Sequence, residues 1–264
     1  MSLPLYTGPG TEDGANALFL HGFLGSGADW ISLVPDLPFR LLAPDLPGHG
    51  EAVGLRKELY SMEGAAEFML CMLNERGVET CNIVGYSMGG RLALYLALRH
   101  PERAKTLVLE SASPGLRTGK ERADRRESDE NLAGKLETSG AAGFAAFLES
   151  WHRQPLFASL ADHEGLAEKL VSDRLQNDPE ELAKSLRGMG AGSQPSLWDE
   201  LPELRVPTLA VAGELDGKFT RIAREMSQLS ENIEVIAVEG AGHNVHVEKP
   251  QEFVRLVRSF SEED

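Results

Sequence analysis

Three residues far apart in the chain have the types needed to make a serine reactive. They are Ser87 in GYSMGGR (85–91), Asp216 in GELDGKF (213–219) and His243 in GAGHNVH (240–246). A serine hydroxyl is a poor nucleophile and a poor base until a histidine takes its proton, and a carboxylate is needed to orient that histidine. The glycines at 85 and 89 complete a G-x-S-x-G spacing, which permits a sharp turn that pushes the serine side chain out. Alone this spacing is a weak sign, because a tight glycine turn with a solvated serine has the same sequence. Arg91, one helical turn after Ser87, raises a second question. Acyl transfer is the common use of such a serine, and it gives no reason for a permanent charge beside it.

The elements that must position these residues follow from the apolar pattern. Short apolar runs predict strands at 17–20, 39–43, 81–84, 106–110, 208–213 and 233–238. Helices are expected around Met62–Glu75, Gly89–Arg99, Phe219–Leu229 and Glu252–Ser261. Only Met1–Asn16 precedes the first clear strand, which leaves room for one short edge strand. Ser87, Asp216 and His243 each come just after a predicted strand, so all three belong at one edge of the sheet. Serine, aspartate, histidine is the chain order of the α/β-hydrolase fold. The fold class expected is therefore α/β: a mostly parallel central sheet flanked by helices. In that fold the amide after His-Gly, here Phe23 in LFLHGFLG (18–25), joins the amide of Met88 to hold an oxyanion.

Between Ser111 and Leu201 the strand signal stops. Phe144, Phe147, Leu148 and Trp151 keep helical spacing, and Asp178-Pro179-Glu180-Glu181 reads as a capped helix start. SLRGMGAGSQPSLW (185–198) reads as a glycine-rich connection back to the core. Residues 111–201 are thus expected to form a helical lid inserted between two core strands, with 1–110 and 202–264 as the core.

The net charge of −15 opposes binding to nucleic acid, and an anionic substrate would need positive charge supplied locally. The N-terminal MSLPLYTGPG lacks a signal-peptide pattern, and no apolar run is long enough to span a membrane, so a cytoplasmic protein is expected, as a monomer or weak homo-oligomer. Cys71 and Cys81 lie in apolar segments and read as buried free thiols. His49 in DLPGHG (45–50) is assigned to loop structure, and the His243–His246 pair lacks the company of a metal site. No metal and no cofactor are expected.

From about Leu18 onward the chain resembles the 2-succinyl-6-hydroxy-2,4-cyclohexadiene-1-carboxylate synthases, lyases of menaquinone biosynthesis. The segments that carry the resemblance are GYSMGGR, SPGLRTGKERADRRESD (113–129), WHRQPLFASL (151–160), RLQNDP (174–179), SLRGMGAGSQPSLW and GELDGKF. The resemblance implies elimination of pyruvate from a small tricarboxylate, with Ser87, His243 and Asp216 working as a general base. It also implies that Arg91, Arg125 and Arg174 receive carboxylates and that Tyr86 and Trp151 add a hydroxyl and an aromatic wall. Arg122 and Arg126 read as part of a solvated, charge-rich helix face. Two other readings stay open on the residues alone. A carboxylester hydrolase would use Ser87 as nucleophile but leaves the arginines without a task. A ligand-binding module on the same fold would have no use for the triad.

Overall fold

A computed structural model describes residues 5–6 and 14–262. The expectation of no signal sequence concerns residues 1–10, most of which lie outside the described ones. Strands β1 (Leu5–Tyr6), β2 (Asn16–Leu20), β3 (Arg40–Pro44), β4 (Cys81–Tyr86), β5 (Ala104–Glu110), β6 (Thr208–Gly213) and β7 (Ile233–Val238) form one sheet in the order β1-β3-β2-β4-β5-β6-β7. Six of these strands run parallel, and only the two-residue β1 is antiparallel, on the edge beside β3.

Alternation along each strand explains why both faces are covered. Leu18, Leu20, Ile83, Leu107 and Leu109 point to one face, against Met62, Met69 and Met72 of helix α1 (Met62–Glu75) and Leu92 and Leu96 of α2 (Met88–Arg99). Phe19, Val84, Val108 and Val211 point to the other, against Trp30 and against Phe253 and Val257 of the C-terminal helix. Strands β4 and β6 are buried at every residue, as a parallel sheet sandwiched between helices requires. Edge strand β7 leaves Glu234 and Ala237 exposed. Cys71 corrects its sequence reading: it lies on the outer face of α1 and is exposed, whereas Cys81 is buried.

The chain lays β3 on one side of β2 and β4 on the other, so the sheet's direction of growth reverses between β2 and β4. The loops leaving the carboxyl ends of these two strands flank a crevice at that switch point. Phe23 is on the first loop and Ser87 on the second.

Between β5 and β6 come α3 (Gly119–Glu137), α4 (Gly140–His152), α5 (Leu166–Arg174) and α6 (Pro179–Met189), with no strand among them. Helix α3 begins at a full capping box of Thr118 and Glu121, and α6 at an Asp178 cap with Pro179 in its first turn. Helix α6 continues through Ser185–Met189, so the glycine-rich connection starts at Gly190, later than its composition suggests. These helices share a core of Ala133, Leu136, Phe144, Leu148, Leu182 and Leu186 that continues into Leu24, with Phe23 packed beside it. The inserted helices therefore rest on the loop after β2. After β6 follow α7 (Gly217–Ser227), the short α8 (Val245–Glu248) and α9 (Pro250–Glu262). No described helix is long and apolar enough to cross a membrane.

Candidate active site

Ser87 joins β4 to α2 with φ 50° and ψ −105°, a conformation few non-glycine residues adopt. The neighbouring glycines make the turn possible by allowing close contact. A Cβ on Gly85 would lie 2.5 Å from the Gly89 carbonyl oxygen, and one on Gly89 would lie 2.2 Å from that of Leu20. The strained serine is held by its own N–H, which donates to the Glu110 carbonyl at 2.8 Å, and by its carbonyl, which accepts from the Arg91 N–H at 3.0 Å.

His243 reaches this serine from the loop after β7. Its Nε2 is 3.3 Å from Ser87 Oγ, and its Nδ1 is 2.6 Å from Asp216 Oδ2. With the Nδ1 proton donated to the carboxylate, Nε2 is left as the acceptor for the serine hydroxyl. Asp216 caps α7, its second oxygen accepting from the Phe219 N–H at 3.2 Å. The loops carrying the acid and the base meet because Gly213 has no side chain: a Cβ there would lie 2.1 Å from the Gly242 carbonyl oxygen. Phe219, Phe157 and Tyr86 surround the imidazole at centroid distances of 4.7, 5.6 and 5.5 Å. This arrangement can move a proton from the serine hydroxyl to the histidine in a site largely shut off from water.

Glu248 braces the histidine loop, although nothing in the sequence reading singled it out. Its carboxylate accepts the N–H of Gly242 at 2.8 Å and that of Asn244 at 3.1 Å, on either side of His243. Asn244 in turn accepts from the Tyr86 hydroxyl. Burial, and next the carboxylate of Glu110, push Tyr86 well above the usual phenol range, so that hydroxyl stays neutral. His246 pairs with Glu110, Nδ1 to Oε2 at 2.8 Å, and this buried pair absorbs the second histidine of H-x-x-H. No cluster of three or more potential metal ligands exists among the described residues.

The loop after β2 holds Phe23 in a fixed turn. Leu24 has φ 70°, and the strain is offset by bonds on every side. The Gly25 N–H donates to the Gly22 carbonyl at 3.0 Å, and Asn177 Nδ2 donates to the Leu24 carbonyl at 2.8 Å. Neither Phe23 nor Met88 uses its amide in a hydrogen bond among the described residues, so both donors are free to serve an oxyanion. His49 also belongs to this structure, edge-on to Phe23 at 5.6 Å. His21 ties the loop to the one after β3, donating from Nδ1 to the Gly22 carbonyl at 2.8 Å and accepting the Leu46 N–H at Nε2 at 2.9 Å.

Burial leaves His21 no room for a second proton and lowers it to about 3, from the 6.5 of a free imidazole. The unfolded chain therefore binds the extra proton between those values, and stability drains away as pH falls below about 6.5. From pH 7 to pH 5, His21 alone should remove about 2 kcal/mol. Buried His49, also lowered, acts in the same direction. Urea unfolding at both pH values should show a fall about 2 kcal/mol smaller in His21→Asn than in the wild type. An equal fall in both would contradict this assignment.

The three arginines differ sharply in what they already hold. Arg91 donates both Nη1 hydrogens to uncharged oxygens, the Met189 carbonyl at 2.8 Å and Gln194 Oε1 at 2.6 Å. Its Nε and Nη2 donate to nothing among the described residues, which leaves the side-on fork that fits a carboxylate. Burial, and next the charge of Arg125, lower it to about 10, so it remains cationic near neutral pH. Arg125 donates from Nε to Asp129 at 2.7 Å, and its two terminal amino groups are uncommitted among the described residues. Arg174 already holds a carboxylate: Nη1 and Nη2 grip Asp29 at 2.8 and 2.9 Å, both side chains being buried or nearly so. That bidentate pair was invisible in the sequence and changes what can be asked of Arg174.

Trp151 sits on α4 with its ring 5.4 Å from Phe23 and 6.2 Å from Phe157, forming a wall beside the oxyanion loop. Arg122 and Arg126 do more than face solvent. Arg122 donates to the Leu116 carbonyl at 2.9 Å, and Arg126 to the Gly192 carbonyl at 2.9 Å, fastening the segments before α3 and after α6.

Comparison with known proteins adds a family to this geometry. Residues 18–250 match the model of the alpha/beta hydrolase fold. A Bacillus subtilis (strain 168) protein, provisionally named 2-succinyl-6-hydroxy-2,4-cyclohexadiene-1-carboxylate synthase, is 40% identical over 259 residues, which cover 94% of this chain and 92% of that one. A Serratia proteamaculans (strain 568) protein that carries the same name without qualification is 32% identical over 95% of this chain and 94% of its own. Among solved structures, MenH from S. aureus aligns with a TM-score of 0.92 and 32% identity, covering 100% of this chain and 99% of that one.

Proposed function

This chain belongs to the 2-succinyl-6-hydroxy-2,4-cyclohexadiene-1-carboxylate synthase family on the α/β-hydrolase fold, and we propose that it is a carbon–oxygen lyase with that activity. The substrate is 2-succinyl-5-enolpyruvyl-6-hydroxy-3-cyclohexene-1-carboxylate. Ser87, its own proton passed to His243, removes the ring proton next to the succinyl ketone. The electron pair forms an enolate, held by the Phe23 and Met88 amides. Collapse of the enolate shifts the ring double bond and expels the enolpyruvyl oxygen, which takes up a proton and leaves as pyruvate. Asp216 keeps the imidazole in the orientation and tautomer this relay needs. No acyl-enzyme forms. Residues 111–201 act as a lid over this site, on a core of 1–110 and 202–264, and the reaction runs in the cytoplasm.

The observation that carries this reading is Arg91: a charged, partly buried guanidinium one turn from Ser87, with uncharged partners and an open carboxylate-binding edge. A hydrolase of neutral esters would gain nothing from it. Arg91 and Arg125 take two of the substrate's three carboxylates. Arg174, already paired with Asp29, takes the third, and Tyr86 and Trp151 complete the walls.

Arg91→Ala should lose one charge-assisted interaction, on the order of 1.5–3 kcal/mol, or roughly ten- to a hundredfold in kcat/KM for pyruvate release. Arg91→Lys should recover only part, since lysine keeps the charge without the fork. A folded Arg91→Ala protein with undiminished kcat/KM would remove the main support for the lyase reading.

A further inference from the structure

Gln194 lies in the connection between α6 and β6, and it is fully buried. The loop around it is wedged in place. The Gln194 N–H donates to the Gly190 carbonyl at 3.0 Å, and Arg126 holds the Gly192 carbonyl. Beyond it, the Leu197 N–H bonds the Pro114 carbonyl at 2.8 Å. Gly115, with φ +93°, leaves the space that the amide fills: a Cβ there would lie 3.1 Å from Gln194 Nε2. Within this fixed frame Oε1 accepts from Arg91 at 2.6 Å, while Nε2 has no hydrogen-bond partner. Turning the amide over would aim an NH2 group at the guanidinium, so Arg91 dictates the orientation. Leaving a buried NH2 unsatisfied is unfavourable. A glutamate has nearly the same shape and would remove that unsatisfied donor while pairing with Arg91, yet the chain carries an amide.

We propose that Gln194 is a positioning residue for Arg91: with the Met189 carbonyl it holds Nη1 by uncharged acceptors, so that the Nε–Nη2 edge is presented and the guanidinium charge is kept for a substrate carboxylate. The inference rests on the lyase reading above and adds a determinant of anion selection to it. Arg174 shows the contrasting case in the same chain, where a carboxylate partner, Asp29, pairs with both terminal nitrogens and offsets the charge.

The test is steady-state pyruvate release by wild type, Arg91→Ala, Gln194→Glu and Gln194→Met, with Tm measured for each. Gln194→Glu should raise KM about tenfold or more and change kcat less than twofold, with Tm equal to or above wild type. Gln194→Met keeps the charge free but loses the acceptor that holds Nη1, and its KM should rise several-fold, less than in Gln194→Glu. Combining Gln194→Glu with Arg91→Ala should add little to the loss from Arg91→Ala alone. If Gln194 merely fastened the connection to α2, the carboxylate would fasten it at least as well and leave KM at the wild-type value. A wild-type KM in a folded Gln194→Glu protein overturns the proposal. Should that variant not fold, a wild-type KM in a folded Gln194→Met protein overturns it instead. In both cases the lyase reading survives if wild type releases pyruvate and Arg91→Ala is impaired. If Arg91→Ala is unimpaired, both fall.

Discussion

Ser87→Ala is expected to lower the rate of pyruvate release about a thousandfold, His243→Ala to do the same, and the double variant to be little worse than either. The reason is the relay. Ser87 Oγ touches the imidazole at Nε2, and the imidazole is fixed at Nδ1 by Asp216. In the proposed relay, removing the hydroxyl leaves no group to reach the ring proton, and removing the imidazole leaves a hydroxyl that keeps its own proton at neutral pH. Each loss disables the same unit, so the losses do not add. On the proposed mechanism, what remains in both variants is the binding contribution of the arginines and of the Phe23 and Met88 amides. KM should therefore change much less than kcat. Additive losses, with the double variant another thousandfold lower, would mean that the two residues act in separate steps.

Arg174→Leu should act first on stability, which sets it apart from Arg91→Ala. The guanidinium grips Asp29 through two bonds, and the two side chains are only 9% and 12% exposed. Truncating one member strands the other's charge in a desolvated site, at a cost of about 3–5 kcal/mol. For a chain of this size that corresponds to a Tm lower by roughly 10 °C. Asp29 also accepts the Ser26 N–H at 3.4 Å, and its Oδ2 sits against Gly25, so the loss reaches the loop that carries Phe23. Asp29→Asn combined with Arg174→Leu should recover much of the lost Tm, because neither charge is then left unpaired. Thermal unfolding of the three variants checks this. An Arg174→Leu protein as stable as wild type would contradict the buried pair.

The parts of this molecule that local chemistry dictates could be read from the chain. The run CNIV had to become a buried strand, and the glycines after it allowed the turn at Ser87. Asp216 and His243 followed strands of the same kind, so the same sheet edge collected all three. Helix α1 spans the residues its apolar pattern predicts, Met62–Glu75, yet Cys71 lies on its exposed side. In FMLCML every residue is apolar, so the pattern cannot tell which side of the turn faces water.

What escaped were pairings between distant residues that depend on how the inserted helices settle. Asp29 and Arg174 are 145 positions apart, Tyr86 and Asn244 158, and Arg91 and Gln194 103. Neither partner in such a pair carries a local signal of the other. Reading the arginines as equivalent was therefore natural, and the structure separates them by their partners. Glu248 was closer to legible, since an acidic residue four positions after Asn244 can fold back on the amides of its own turn.

The most direct test of the central claim is pyruvate release from 2-succinyl-5-enolpyruvyl-6-hydroxy-3-cyclohexene-1-carboxylate by the wild-type protein. It should be run beside hydrolysis of p-nitrophenyl acetate, with Ser87→Ala as the blank for both. The lyase account predicts stoichiometric pyruvate with kcat/KM far above that for the ester, and no covalent adduct on Ser87 during turnover. Rapid ester hydrolysis through an acyl-Ser87, with pyruvate release no faster than in Ser87→Ala, would contradict it.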